Sequence, residues 1–320
     1  MSAPHFEGAR AAPPAGSATP RLDPSRTGDL GPFRRVLAQP GGVTAVVILS
    51  LVVLAALVSL IWLPHDPNPA DASRLRQAPS WAPPLGTDGS GRDIASRLLA
   101  GSRITVLVAL GTGVLAGLLG LVLAALGGLT PKAVREPVAV LIDVLVAFPT
   151  LLLAMMLAAV YGAGIPVVIA AVGVGYGVAI GRVVRAEFQQ VASAEFVLAA
   201  RAAGLSRASI FRRHLLPNVF PVLAVQLSLS VGLAVLAEAG LSYLGFGAPP
   251  SVPSWGRMLA ETQRYIGVHP EAVLWPGLAI TLVVLACYLL GDALRDALDP
   301  SLLRRARGQA GKNAARKAAA

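Results

Sequence analysis

The residues of this sequence that could do covalent or metal chemistry are few and widely separated. The four histidines, His5, His65, His214 and His269, stand far apart, and the one cysteine, Cys287, lies within an apolar run. No HExxH, CxxC or GxSxG pattern occurs, and a single cysteine forms neither an internal disulfide nor a cysteine metal site. The sequence therefore predicts no catalytic residue, no bound cofactor and no metal site.

A nucleotide-binding loop is also missing from the sequence. The only Gly-Lys pair, Gly311-Lys312, is followed by Asn313, and position 306, where a P-loop has its first glycine, is an alanine. If ATP drives this protein, a separate chain must hydrolyse it.

Two carboxylates lie in or beside apolar runs. A carboxylate in hydrocarbon is costly and often marks a proton relay. However, Asp143 is near the start of its run and Glu238 is at the end of another, so an interfacial position is favoured for each. Their placement weakens, without removing, the interpretation as an ion-gradient-driven carrier.

The apolar runs are the elements that must position these residues. The composition is 55% hydrophobic and only 14% charged, and the mean hydropathy is +0.66. Six runs approach or exceed the roughly 17 to 25 residues that a helix needs to cross a hydrocarbon core. The sequence therefore predicts an all-α integral membrane protein with six transmembrane helices, over 43–63, 104–129, 138–161, 165–181, 220–241 and 272–292.

The connecting segments are tails and loops whose charges predict the topology. They are a cytoplasmic N-terminal tail over 1–42, an extracytoplasmic segment over 64–103, a cytoplasmic loop over 182–219, an extracytoplasmic loop over 242–271 and a basic cytoplasmic tail over 304–320. Most of the 27 Lys and Arg residues fall on the cytoplasmic side if the N-terminus is inside. We therefore expect both termini to be cytoplasmic.

The net charge of +10 invites a nucleic-acid interpretation, but its distribution argues against one. The positive residues follow the inner membrane face, and the basic C-terminal tail lacks interleaved aromatic residues. Membrane lipid is the expected partner of this charge, and no nucleic acid is expected.

Several local patterns predict packing and turns. Glycines at four-residue spacing in the second and fourth runs (Gly113 and Gly117; Gly173, Gly177 and Gly181) favour close helix packing, within this bundle rather than against a partner. Pro149 predicts a kink in the third span. The stretch Thr87 to Asp93 favours a polar turn over a metal loop. The outer aromatic residues Tyr243, Phe246, Trp255 and Tyr265 favour anchoring at the membrane interface over contact with a partner.

A basic segment between the fourth and fifth runs predicts a bent helical elbow. Ser193 can cap a short helix, Gly204 permits a left-handed turn, and Ser206 can cap a second helix ending at Pro217. On the second helix Ile210, Phe211, His214 and Leu215 share a face, which must be buried by something.

The elbow resembles the EAA motif of bacterial ABC importer permeases. That motif reads Glu-Ala-Ala, three residues, Gly, nine residues, an apolar residue, one more, and Leu-Pro. Ala199-Ala200, Gly204 and Leu216-Pro217 stand at the matching positions, with His214 in the apolar slot. Leu198 stands where the motif has its Glu, and the nearest carboxylate is Glu195.

Three further stretches resemble the C-type permease of dipeptide and oligopeptide importers. They are Leu85 to Thr105, Leu241 to Leu259 and Leu289 to Pro300, and with the elbow the resemblance covers about Phe33 to Leu303. The resemblance implies an ABC importer type I permease fold whose core spans 104–303. The first span resembles the extra N-terminal helix of that subfamily.

The resemblance implies one membrane-spanning subunit of an ATP-driven importer in the bacterial plasma (inner) membrane. Its expected partners are a second permease subunit in a heterodimer, two cytoplasmic ATPase subunits and an extracytoplasmic solute-binding protein. The ATPase would dock through an apolar face of the elbow, formed with Glu195, Ala199, Ala200, Gly204, Ile210, Phe211, His214, Leu216 and Pro217.

The cargo follows from the resemblance alone. Dipeptides or oligopeptides are implied, while nickel, glutathione-like or sugar cargo stays open. The alternatives to an importer subunit are a carrier driven by an ion gradient without an ATPase, and a membrane scaffold that only holds an ATPase.

Overall fold

The computed structural model describes residues 31–268 and 270–299, and the regular elements in these residues are all helical. The all-α fold predicted from the sequence is confirmed. In chain order the α-helices are α1 (Pro32–Leu37), α2 (Pro40–Ile61), α3 (Ile94–Leu129), α4 (Lys132–Val146), α5 (Thr150–Tyr161), α6 (Ile165–Ala192), α7 (Glu195–Ala202), α8 (Arg207–Ile210), α9 (Leu216–Tyr243), α10 (Trp255–Thr262) and α11 (Glu271–Leu298).

Five helices in the described part of the chain are long and apolar enough to cross a membrane, and a bent pair makes a sixth candidate span. The five are α2, α3, α6, the continuous helix Arg207–Tyr243 that contains α8 and α9, and α11. The bent pair is α4 and α5, which meet at 83°.

The bend lies at Pro149, the residue predicted to kink the third span. Pro149 is the N-cap of α5 and has an extended backbone with ψ of 120°. At 1.5 Å per residue, α4 extends about 22 Å and α5 about 18 Å, so neither crosses a hydrocarbon core of about 30 Å alone. The segment predicted to form the third span over 138–161 therefore contains two helices with a bend at Pro149, which is sharper than a kink within one helix.

The helix α3 is longer than the span predicted from the apolar run. It begins at Ile94, where the Asp93 side chain accepts a hydrogen bond from the backbone N–H of Ser96. Its 36 residues extend about 54 Å. The apolar run starts only at Ile104 because the first turns of α3 carry arginines that are paired inside the protein, as described below.

The glycine-rich helices α3 and α6 pack against each other within this chain. A Cβ atom added to Gly120 would lie 2.6 Å from Cγ2 of Ile180 on α6, and one added to Gly177 would lie 3.0 Å from Cβ of Leu119 on α3. These glycines therefore allow the two helix backbones to approach closely. The glycine stripes do serve the bundle itself, as the sequence favoured.

The N-terminal helices are held to the last span. The helix α2 packs on α11 and α3, and α1 packs on α11. The Arg35 guanidinium donates to the carbonyl oxygen of Ala297 (3.3 Å), and the Gln39 amide donates to that of Ala293 (3.3 Å). The extra N-terminal helix is thus an integral part of the bundle.

Candidate functional site

The elbow, defined as residues 193–217, follows a fourth helix that is longer than its apolar run. The helix α6 continues to Ala192, well beyond the predicted end of the fourth span at Gly181. Ser193 does not cap the next helix; its hydroxyl donates to the carbonyl oxygen of Gln190 (2.8 Å), and Ala194 is the N-cap of α7. The first arm of the elbow, α7, therefore follows α6 after a short break.

The bend of the elbow is fixed by a glycine in the left-handed region. Gly204 has φ of +78°, and its N–H donates to the carbonyl oxygen of Arg201 (3.0 Å). The N–H of Leu205 donates to the carbonyl oxygen of Ala200 (3.2 Å), which completes a Schellman cap on α7. The predicted glycine turn is confirmed, and it leaves the two arms at a defined angle.

The second arm does not end at Pro217. Ser206 caps α8 as predicted, accepting from the N–H of Ser209 (3.2 Å). The chain then forms a π-helical turn over Phe211–Leu215, in which the N–H of Leu216 donates to the carbonyl oxygen of Phe211. Proline tolerates this position because the widened turn ends just before it, so the arm runs without interruption into α9.

The apolar face of the elbow is buried by the chain itself. Ile210 and Leu215 are 5% and 2% exposed and join one core cluster with Val197 of α7 and Phe188 of α6. The rings of Phe211 and Phe188 stack with centroids 5.7 Å apart. The helix α6 thus buries this face, and docking of an ATPase on the elbow stays a prediction.

The predicted docking residues are consequently divided between two sides of the elbow. Ala200 is buried with Ile210, while Phe211, His214 and Leu216 are partly buried. The residues that remain on the outside are Glu195, Leu198, Ala199, Gly204 and Pro217. Leu198, at the position of the motif's Glu, has half of its side-chain surface exposed (51%).

A cleft of about 630 Å³ opens between the end of α3 and the elbow. Apolar residues and two arginines line this cleft, and neither arginine has an ion-pair partner among the described residues. The lining residues are Leu129, Thr130, Pro131, Arg201, Leu205, Arg207, Ile210 and Leu215.

On the other side of the bundle a buried ion-pair cluster joins the outer segments. The Arg97 guanidinium on α3 lies 2.5 Å from the Asp88 carboxylate and 2.6 Å from that of Glu261 on α10. Arg92 and Arg257 also pair with Glu261, at 3.1 Å and 3.3 Å. We call residues 62–93 together with α10 the outer cap. Sequence reasoning missed this cluster, because its members are far apart in the chain.

The predicted polar turn is present at the base of the outer cap. The Asp88 side chain accepts from the backbone N–H groups of Ser90 (2.8 Å) and Arg92 (3.0 Å), and Thr87 bridges to Asp93. No group of residues in 31–268 and 270–299 has the composition of a metal site. At the surface of the cap, hydrogen bonds from Ser73 lower the pKa of the exposed Asp71 carboxyl.

Two outer aromatic residues have structural contacts that the sequence did not predict. Trp255 is 4% exposed, and its indole N–H donates to the carbonyl oxygen of Leu98 on α3 (3.0 Å). The guanidinium of Arg76 lies 5.6 Å from the ring centroid of Tyr265. Trp255 is therefore a core residue of the outer cap and not an anchor at the membrane surface.

The two carboxylates of the apolar runs differ in their surroundings. Asp143 is exposed on the outward side of α4, whereas Glu238 on α9 is 1% exposed. The Glu238 carboxylate accepts from the Ser242 hydroxyl (2.6 Å), which itself accepts from the N–H of Ala248 (2.8 Å). Protein atoms therefore surround Glu238, and its position near the end of a span stays a prediction. The Glu-x-x-x-Ser spacing is the sequence signal of its pair with Ser242.

The sequence of this chain is similar to those of known transport proteins. Residues 95–304 match the family described as "Binding-protein-dependent transport system inner membrane component". The chain is 37% identical over 259 residues to the nickel transport system permease protein NikC of Escherichia coli K12, covering 81% of this chain and 94% of NikC. It is 36% identical over 268 residues to the di/tripeptide transport system permease protein DppC of Pseudomonas aeruginosa, covering 82% and 88%.

The fold also resembles a solved structure. A chain of the MetNI methionine ABC transporter, in an inward-facing conformation, superposes with a TM-score of 0.54 at 18% identity. The superposition covers 63% of this chain and 96% of the other. At this identity the likeness concerns the fold alone.

Proposed function

We propose that the elbow docks a cytoplasmic ATPase, because the chain belongs to the family of binding-protein-dependent transport system inner membrane components. It is thus a permease subunit of an ABC importer and not an enzyme. The observation that carries this proposal is the continuity of the second arm with α9. Since the inner face of the elbow is packed on α6, a displacement of the elbow moves two spans together.

The ATPase would contact the outer side of the elbow. Glu195, Leu198, Ala199, Gly204 and Pro217 are accessible there. Leu198 offers an exposed apolar side chain, and the small Ala199 and Gly204 permit close approach. Ala200, Ile210 and Leu215 fix the arms to α6 from within. Apolar packing against the bundle, and not against the ATPase, thus gives the elbow its rigidity.

The remaining partners follow from the family. An importer of this kind works with an ATPase and a solute-binding protein. We propose a second permease subunit as heterodimer partner, two cytoplasmic ATPase subunits, and cytoplasmic termini in the inner membrane. The cargo we propose is a dipeptide or oligopeptide, supported by the similarity to the di/tripeptide permease; similarity to the nickel permease keeps a metal cargo as an outcome of transport assays.

Co-purification tests the docking proposal. Ala199→Glu places a charged side chain on the outer side of α7, and Ala133→Glu makes the same change on an exposed turn of α4. We expect Ala199→Glu to reduce the recovered ATPase at least tenfold and Ala133→Glu to leave it unchanged, with equal amounts of both variants in the membrane. Equal recovery from both variants would contradict docking on this surface.

The topology and the alternative carrier mechanism are tested separately. Arg207→Cys introduces an accessible thiol, while the native Cys287 is buried, so an impermeant reagent should label the variant only from the cytoplasmic side. Uptake by vesicles that contain this chain alone under a proton gradient would instead favour the gradient-driven carrier.

A further inference from the structure

The cleft between the end of α3 and the elbow combines apolar walls with positive charge that nothing in the described chain neutralises. Arg201 on the first arm and Arg207 on the second arm both line it, on either side of the turn at Gly204. Leu205 and Ile210 line it between and beyond them. A ligand that fits has an anionic group and an apolar body.

A third guanidinium adds to the positive potential at this helix end. The stem of Arg185 packs on Gly127 of α3, where an added Cβ would lie 2.5 Å from the arginine Cδ. The Nη1 atom of Arg185 is buried without a hydrogen-bond partner in the described part of the chain. Arg185 does not line the cleft, so it contributes to the binding of an anion there through its positive potential and not through contact.

The position of the cleft at the end of a membrane span indicates that an anionic ligand would come from the membrane. Its wall includes Leu129, the last residue of α3, and Thr130 and Pro131 that follow it, where the apolar run ends. With the elbow on the cytoplasmic side, as in the proposed function on which this inference rests, the cleft lies at the surface of the cytoplasmic leaflet. Anionic phospholipids are concentrated there and bind basic pockets beside spans.

We propose that this cleft binds one anionic phospholipid, with the Arg201 and Arg207 guanidinium groups on its phosphate. Guanidinium binds phosphate oxygens in a bidentate manner, and the apolar wall accommodates the glycerol and upper acyl region. Because the cleft joins α3 to both arms, the bound lipid braces the elbow against the bundle. ATP hydrolysis coupled to transport therefore depends on the lipid.

Phosphatidylglycerol titration of the purified permease–ATPase complex, followed by native mass spectrometry, measures this binding. The test variant is Arg201→Gln/Arg207→Gln, and its matched control is Arg212→Gln/Arg213→Gln, which removes two exposed arginines of the same elbow that do not line the cleft. From about fivefold per basic residue near an anionic surface, we expect roughly thirtyfold weaker binding in the test variant only. Arg201→Lys/Arg207→Lys, which keeps the charge, should bind with intermediate affinity.

A functional measurement accompanies the titration. In nanodiscs, phosphatidylglycerol added to phosphatidylcholine should raise the ATPase rate of the wild-type and control complexes and leave the test variant unchanged. Equal loss of lipid binding in both double variants would overturn the proposal, because it would indicate unspecific surface charge. Retained lipid with loss of the ATPase subunit from the test variant would also overturn it and assign the cleft to the ATPase.

The docking proposal fails independently of this one. If no ATPase is recovered with the wild-type permease pair, docking is wrong. The lipid titration of the permease pair still supports or overturns the lipid site.

Discussion

Removing the Arg97 guanidinium should loosen the outer cap from the bundle. Arg97 is the central cation of the cluster, with a side chain 3% exposed between Asp88 (5% exposed) and Glu261 (28% exposed). We consider the substitution Arg97→Met, which keeps the apolar stem and deletes the charge. The Asp88 carboxylate then stays buried without a cationic partner.

The magnitude follows from the burial of each partner. Breaking a buried ion pair by removing one member costs about 3–5 kcal/mol, because the remaining charge is uncompensated. Glu261 keeps Arg92 and Arg257, and Asp88 keeps two backbone N–H donors. The cost should therefore lie at the lower end, about 3 kcal/mol, which corresponds to roughly 6–12 °C in the midpoint of thermal unfolding for a domain of this size.

Thermal unfolding of the purified protein, followed by size-exclusion chromatography, measures the effect. The control is Lys132→Met, which removes a cation from the exposed pair with Glu136 (3.7 Å) and should change stability by less than about 1 kcal/mol. The double variant Arg97→Met/Asp88→Asn should recover part of the loss, since the uncompensated charge is gone. A loss in Arg97→Met no larger than that of the control, or no recovery in the double variant, would refute this account of the cluster.

Three further changes test other parts of the structure. Gly204→Ala should destabilise the turn of the elbow by about 1–2 kcal/mol because of its positive φ alone, since the added Cβ meets no atom within 4 Å. Gly204→Asn should cost less, and stimulation of the ATPase rate by cargo measures the difference between the two variants. Phe188→Ala removes a fully buried ring that stacks on Phe211 and should cost about 3–5 kcal/mol, so the ATPase should still co-purify while cargo no longer stimulates its rate. Glu238→Gln keeps an oxygen that accepts from Ser242 and loses only the charge assistance of that bond, about 1 kcal/mol, so uptake should fall by no more than about fivefold; abolished uptake would indicate a proton relay.

The spans and the turn of the elbow could be predicted from local sequence. The length of an apolar run predicts a span, the glycine before Leu-Ser predicts a left-handed helix cap, and Ser206 predicts a helix start. Each of these signals depends only on residues that are neighbours in the chain. Pro149 also predicts the presence of the bend between α4 and α5. The size of the bend could not be predicted, because a proline removes a hydrogen bond without fixing the direction in which the two halves diverge.

The cluster around Arg97 could not be predicted in the same way. Most of the helices lie between Asp88 and Glu261 in the sequence, and nothing in their neighbouring residues distinguishes them from ordinary charged loop residues. Only the fold brings both carboxylates to Arg97. The same applies to Trp255, whose partner Leu98 offers only a backbone oxygen. Tertiary contacts of this kind leave no periodic signal in one sequence.

The elbow shows that an amphipathic pattern predicts burial of an apolar face but not which element buries it. The pattern at Ile210 and Leu215 states only that the face is buried, and α6 satisfies it through Phe188 before any partner is considered. A joint that transmits force needs two kinds of surface: one that fixes it to the spans and one that a second protein can leave and rejoin. Permanent packing suits the buried side chains of Ile210, Leu215 and Phe188, and reversible contact suits the exposed residues around Ala199. Substitutions on the inner face should therefore uncouple the importer, whereas those on the outer face should separate its subunits.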